Sequence, residues 1–186
     1  MQILGRIIGT GLVAAAALTA AACGSDSGST AATSTTARST VAAAPTASKG
    51  RACTTEDIKV EGAFGADPEV TLPDNCDPPT TLLVKDLLPG SGPGAAAGQP
   101  LSMNYELTTW SDKQVLDSSF RRGKPFGLTL GTGQVIQGWD QGLLGVQQGA
   151  RRLLIVPPDL GYGARGQQGV APNETLVFVT DAVKVG

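Results

Sequence analysis

Side chains able to act on another molecule gather in four short segments of this 186-residue sequence. They are Leu116-Asp117-Ser118-Ser119, Gly123-Lys124-Pro125-Phe126, Val135-Ile136-Gln137-Gly138-Trp139, and Gly161-Tyr162-Gly163 with the later Thr175-Leu176-Val177-Phe178. Between them they hold aromatic rings and one carboxylate, in a chain with only four Phe, two Tyr and two Trp. No histidine occurs anywhere. That excludes Ser-His-Asp and Cys-His nucleophiles, imidazole proton shuttles and His-ligated metals. The three cysteines, Cys23, Cys53 and Cys76, have no C-x-x-C spacing, so a zinc ribbon and a thioredoxin-like dithiol are excluded too. Whatever these segments do, they do without the commonest catalytic side chain. Taken singly, each ring reads first as a core residue. Asp117, followed by two serines, reads equally well as a residue that opens a turn through its side chain.

The elements that must position these residues are mostly strands. Residues 81–88 form one, broken by Pro89-Gly90-Ser91-Gly92-Pro93-Gly94. Over 101–110 the pattern alternates, with Leu101, Met103 and Tyr105 on one face and Ser102, Asn104 and Glu106 on the other. Shorter strands follow at 115–116 and 126–130, and longer ones at 152–156 and 175–185. The only convincing helix is short, over about 135–144, and carries Trp139. The pattern predicts an α+β domain, an antiparallel β-sheet wrapped around one short α-helix.

Charge narrows the partners. Fourteen Lys and Arg against sixteen Asp and Glu give a formal net charge of -2, with no basic stripe, so no nucleic acid is expected. Arg121, Arg122 and Lys124 sit beside Asp117, and Arg151-Arg152 reads as an isolated, solvated pair. Gly161-Tyr162-Gly163-Ala164-Arg165-Gly166 fits G-x-G-x-x-G. The dinucleotide reading fails, because Pro157-Pro158 before it and Gly169 and Pro172 after it leave no helix to start there.

The N-terminal fifty residues are read as export and tethering. Arg6 is a small positive n-region, residues 7–18 are an apolar run, and Ala20-Ala21-Ala22-Cys23 follows. Small residues before a cysteine resemble the lipobox of bacterial lipoproteins, although a larger aliphatic residue is usual at the position of Ala20. The resemblance implies a signal peptide over 1–22, acylation at Cys23, and a lipid-anchored protein on the extracytoplasmic face of the cell membrane. Residues 23–52 are Ser, Thr and Ala-rich, too apolar-poor to bury a core, and are expected to be a disordered tether. Cys53 and Cys76 bracket an extension over 53–79 and, in an exported protein, are expected to form a disulfide.

In their order and spacing, the four segments closely resemble the FKBP-type peptidyl-prolyl isomerases, from about residue 80 to the C-terminus at 186. The resemblance implies an FKBP-like fold and a shallow proline-binding pocket with Trp139 as floor. Its implied walls are Tyr105, Phe126, Val135, Ile136, Tyr162 and Phe178, with Val170 in the loop beyond Gly163. Asp117 and Tyr162 are the implied catalytic residues, Asp117 bonding to Tyr162 and Arg122, and Arg122 and Leu116 join the walls as implied substrate-binding residues. Leu116 stands where the family usually has an aromatic ring, which removes one ring edge from the proline contact. Gln167 takes a position often held by histidine. No metal or cofactor is needed, because rotating an amide makes and breaks no bond. The implied partners are proline-containing exported polypeptides and macrolide ligands, taken by a monomer.

Overall fold

A computed structural model of the chain describes residues 48–167 and 169–186. The expected signal segment, Cys23 and the tether as far as residue 47 lie outside the described residues.

The extension contributes a two-stranded hairpin, β1 (Lys59–Glu61) and β2 (Glu69–Thr71). The main sheet holds β3 (Leu83–Leu88), β4 (Pro100–Thr109), β5 (Val115–Ser118), β6 (Phe126–Thr129), β7 (Arg151–Val156) and β8 (Leu176–Val185). Its order is β3-β7-β8-β4-β5, with β6 pairing the first half of β4, and every pairing is antiparallel. One helical turn, α1 (Ser119–Arg122), follows β5 directly, and α2 (Gln137–Gly142) crosses the sheet. The expected antiparallel sheet around a short helix is what the chain adopts.

The central strands are buried on both faces. Every residue of β7 is buried, which fits a run, Leu153-Leu154-Ile155-Val156, that lacks alternation. Leu154 and Val156 belong to the core under α2, together with Leu143 and Trp139. Leu153 and Ile155 point the other way and pack with Ile58 and Leu72 of the extension. Trp110 joins this second core, so it is a packing residue. Cys53 and Cys76 are disulfide-bonded, with Cα atoms 5.2 Å apart.

The Arg151-Arg152 pair is not solvated, contrary to its isolated look in the sequence. Arg151 is 1% exposed and Arg152 7%. Arg151 donates to both carboxylate oxygens of Asp181 at 2.6 and 2.8 Å and to the carbonyls of Gly62 and Ala66. Arg152 makes a like pair with Asp86 and donates to the carbonyls of Gly142 and Leu144. A buried guanidinium needs acceptors for five N–H groups, and these come from segments up to 89 residues away.

Helix α2 is shorter than the pattern suggested because Ile136 keeps an extended backbone (φ -59°, ψ 151°) as its N-cap. Its two glycines let it approach β7. A Cβ at Gly138 would lie 2.4 Å from Val156 Cγ1, and one at Gly142 2.8 Å from Leu154 Cδ2. That close approach fixes where Trp139, between them, can point.

Candidate active site

Trp139 is 4% exposed and lies at the centre of an aromatic cluster. Tyr105 from β4 meets it edge-to-face at 5.3 Å between centroids, Phe178 from β8 at 5.4 Å, and Phe126 at the start of β6 at 6.1 Å. Their interplanar angles are 79–87°, the T-shaped arrangement that places ring edges against ring faces. Three strands and the helix therefore converge on one indole. Above it opens a cavity of about 200 Å³, completed by Val135, Ile136 and Tyr162, with Asp117 on one side. That is smaller than the roughly 300–1,000 Å³ of drug-sized sites and suits one small apolar ring.

The loop before α2 is held by side chains of its neighbours. Asp140 accepts from the N–H groups of Gly131 (2.8 Å) and Gly133 (2.9 Å), and the Gln134 amide oxygen accepts from Thr129 N–H at 2.8 Å. This sets Val135 and Ile136 as walls. Among the described residues the Ile136 N–H has no protein acceptor, and neither has the Tyr162 hydroxyl a partner. Burial, then the nearby Asp117 charge, pushes the Tyr162 phenol above its ordinary value, so it stays an O–H donor at neutral pH.

Asp117 is already engaged. Its carboxylate accepts from Arg122 and from the Tyr105 hydroxyl, and Arg122 also donates to the Tyr105 oxygen at 2.9 Å. The guanidinium carbon lies 5.4 Å from the centre of the Tyr105 ring. The tyrosine bonded to Asp117 is thus Tyr105 and not the expected Tyr162. Strand β4 pairs with β5, Leu107 opposite Asp117, which brings Tyr105 within reach, while Tyr162 comes from the distant 157–166 loop. A carboxylate so paired holds a wall in place and is not a free base.

Three expected substrate-binding residues lie elsewhere, and of these Arg122 serves Asp117 and Tyr105 instead of lining the cavity. Val170 is 8% exposed within the main core, because Gln167 and Val170 exchange both backbone hydrogen bonds and turn its side chain inward. Leu116 does not reach the cavity; it is 39% exposed, beside Gly169, where an added Cβ would come within 3.1 Å of Leu116 Cδ1. Leu107 pairs with Asp117 and Thr108 with Val115, so Leu116 falls at a register shift, unpaired, and is held at the rim of the cavity. Two lining residues escaped the sequence reading. Leu107 continues the 101-103-105 face by two residues and was legible there; Gln134 gave no signal beyond preceding Val135.

The family model for FKBP-type peptidyl-prolyl cis-trans isomerase matches residues 92–182. An FK506-binding protein of Streptomyces anulatus is 48% identical over 120 residues, 63% of this chain and 96% of that protein. One from Neisseria meningitidis serogroup A is 42% identical over 107 residues, covering 56% of this chain and 96% of the relative. The crystal structure of AtFKBP13 superposes with a TM-score of 0.54 at 33% identity, over 58% of this chain and 95% of that one. FkpA from Escherichia coli gives 0.53 at 34% identity, over 57% and 48%.

Proposed function

We infer, from the premise that this chain belongs to the FKBP-type peptidyl-prolyl cis-trans isomerase family, that its aromatic pocket turns X-Pro bonds in exported polypeptides and assists their folding at the cell envelope. The observation that carries the reading is the Trp139-floored cavity, sized for one proline ring, with two hydrogen-bond donors at its edge that are unused among the described residues.

Rotation about an X-Pro bond meets a barrier near ~20 kcal/mol, set by amide resonance. The planar amide is charge-separated and the twisted one less so. Walls of Trp139, Phe126, Phe178 and Val135 take the imide out of water, which disfavours the planar form relative to the twisted one. In this reading the Ile136 N–H and the Tyr162 hydroxyl anchor carbonyls of the bound peptide while the X-Pro bond turns. Asp117, tied to Arg122 and Tyr105, keeps the wall rigid. No proton moves, and none of these roles requires a histidine.

The remaining expectations belong to the same proposal. Residues 1–22 serve as a lipoprotein signal, Cys23 carries the anchor to the extracytoplasmic face, the tether runs from residue 23 only as far as Ser48, because the segment 48–52 is bonded to Asp77, and the extension and isomerase domain follow in a monomer. The relatives are named for binding FK506, and we extend to this pocket a macrolide of that kind.

The test is a protease-free cis/trans assay on an X-Pro peptide with the purified full chain. Acceleration is expected, and a rate equal to the uncatalysed one would rule the enzyme reading out. One observation favours a second reading, a binding module with little turnover: Leu116 leaves the lip beside Gly169 without a ring. If the lip limits the rate, Leu116→Phe raises kcat/KM roughly threefold to tenfold, under 1.5 kcal/mol of barrier. Binding of the peptide without any acceleration by either protein would favour the module.

A further inference from the structure

Asp67 lies in the loop between β1 and β2, outside the residues 92–182 that the family model covers. Among the described residues it makes no hydrogen bond to a cavity-lining side chain, yet it grips the segment that carries the lining residue Asp117 and its partner Arg122. One carboxylate oxygen accepts from the Ser118 hydroxyl at 2.9 Å, and the other from Arg121 Nε at 3.1 Å. Ser118 and Arg121 are the immediate neighbours of Asp117 and Arg122. Alternation along β5 sends Asp117 toward the pocket and Ser118 toward the extension. Ser118 is also the N-cap of α1, its hydroxyl accepting from Arg121 N–H, so one residue ties the strand end to the helical turn.

The pocket pair Asp117–Arg122 is therefore backed, on the far side of the sheet, by a second set of bonds through Asp67. The loop that holds Asp67 is itself fixed. Arg151 donates to the carbonyls of Gly62 and Ala66 within it, and Gly65 N–H donates to Asp181 at 2.6 Å. Buried Arg151 and Asp181 are rigid anchors, since both are under 2% exposed and paired. The path from anchor to active site is continuous: β7 and β8, the 62–67 loop, Asp67, α1, Arg122, Asp117, Tyr105.

We propose that the extension is a rear clamp on the active site and that Asp67 is its positioning residue, setting the Asp117–Arg122–Tyr105 group from behind the sheet. This rests on the isomerase reading for its effect on turnover but not for the clamp itself. Two measurements separate them. In the full chain with Tyr162→Phe, Tyr105 is the sole tyrosine, because the sequence has two. Its phenol is held above the ordinary range by burial and by Asp117, so its titration followed by phenolate absorbance reports on the group. Adding Asp67→Asn is expected to bring that titration down toward the ordinary tyrosine range; a superimposable titration overturns the clamp.

In the otherwise unaltered chain, Asp67→Asn is expected to lower kcat about tenfold with KM within about twofold, since the apolar grip is intact while a wall moves. Asp67→Glu is expected to restore at least half of the loss. Asp57→Asn serves as control, because it breaks the Arg51 pair in the extension without touching α1. Unchanged kcat in Asp67→Asn, or an equal loss in Asp57→Asn, overturns the assignment. If the unaltered chain shows no acceleration, the isomerase reading falls and the tyrosine titration alone decides the clamp.

Discussion

Tyr105 and Tyr162 divide the work that two hydroxyls can do at one pocket. Tyr105 gives its hydroxyl to Asp117 and receives Arg122, which fixes its ring edge-on to Trp139. Tyr162 keeps its hydroxyl free among the described residues, raised in pKa and so protonated through neutral pH. The types of both residues were legible from the sequence, as was their membership of one site. Which of them Asp117 holds was not, because a hydrogen bond between β4 and β5 depends on strand register and not on spacing from Gly161. The division yields a prediction: Tyr162→Phe lowers kcat/KM about tenfold, the worth of one hydrogen bond of ~1.4 kcal/mol, and leaves the melting temperature within a degree or so. The peptide assay beside a thermal melt checks both halves. A large fall in melting temperature would show instead that the hydroxyl serves the fold.

At the scale of elements, α2 and β4 hold the site for different reasons. Helix α2 can seat Trp139 only because Gly138 and Gly142 lie flat on β7. Gly138→Ala is expected to cost about 1–3 kcal/mol, since the atoms it meets belong to buried Val156 and have little room to yield. Denaturant titration measures the loss, and near-ultraviolet circular dichroism reads the accompanying shift of Trp139. Unchanged stability would mean that the helix can lift without effect. Strand β4 carries a polar residue into a buried place: Glu106 is 1% exposed, and its Oε1 has no partner. Burial first, then the neighbouring Asp67 carboxylate, raises its pKa from an ordinary 4.5 to about 7, with Arg121 and Arg151 offsetting part of the rise. A raised carboxyl pKa means that the fold favours the protonated form. Its contribution is complete below pH 4.5 and is lost as pH climbs through about 7. Glu106→Gln, a permanent stand-in for the protonated acid, should therefore raise the melting temperature by roughly 5 °C at pH 8 and leave it nearly unchanged at pH 5. Equal shifts at both pH values would show that Glu106 does not titrate in this range. The alternation in the sequence put Glu106 on the polar side of β4, and nothing in that pattern showed that the extension covers that side.

For the molecule as a whole, the sheet is the middle layer of three, with α2 on one face and the extension on the other. The Cys53–Cys76 disulfide closes the extension over 24 residues (76 - 53 + 1). Cys53→Ala with Cys76→Ala is expected to cost about 3 kcal/mol by chain entropy, read as a lower denaturant midpoint. Loss of all cooperative unfolding would show that the extension is needed for the fold itself. The aromatic set around Trp139 came from the resemblance to the family, while the sequence by itself determined the strands along the chain, the α+β class and the exclusion of histidine chemistry. These follow from residue type and local period, which are written in the chain one segment at a time. Tertiary structure decided what depends on register and on contacts across long separations. It turned Val170 into the core, left Leu116 at the lip, and buried the two arginines against Asp181 and Asp86. It also joined Asp117 to Tyr105 and set Asp67 behind them, since a side chain's partner is fixed by which strands lie side by side, and no local pattern carries that information.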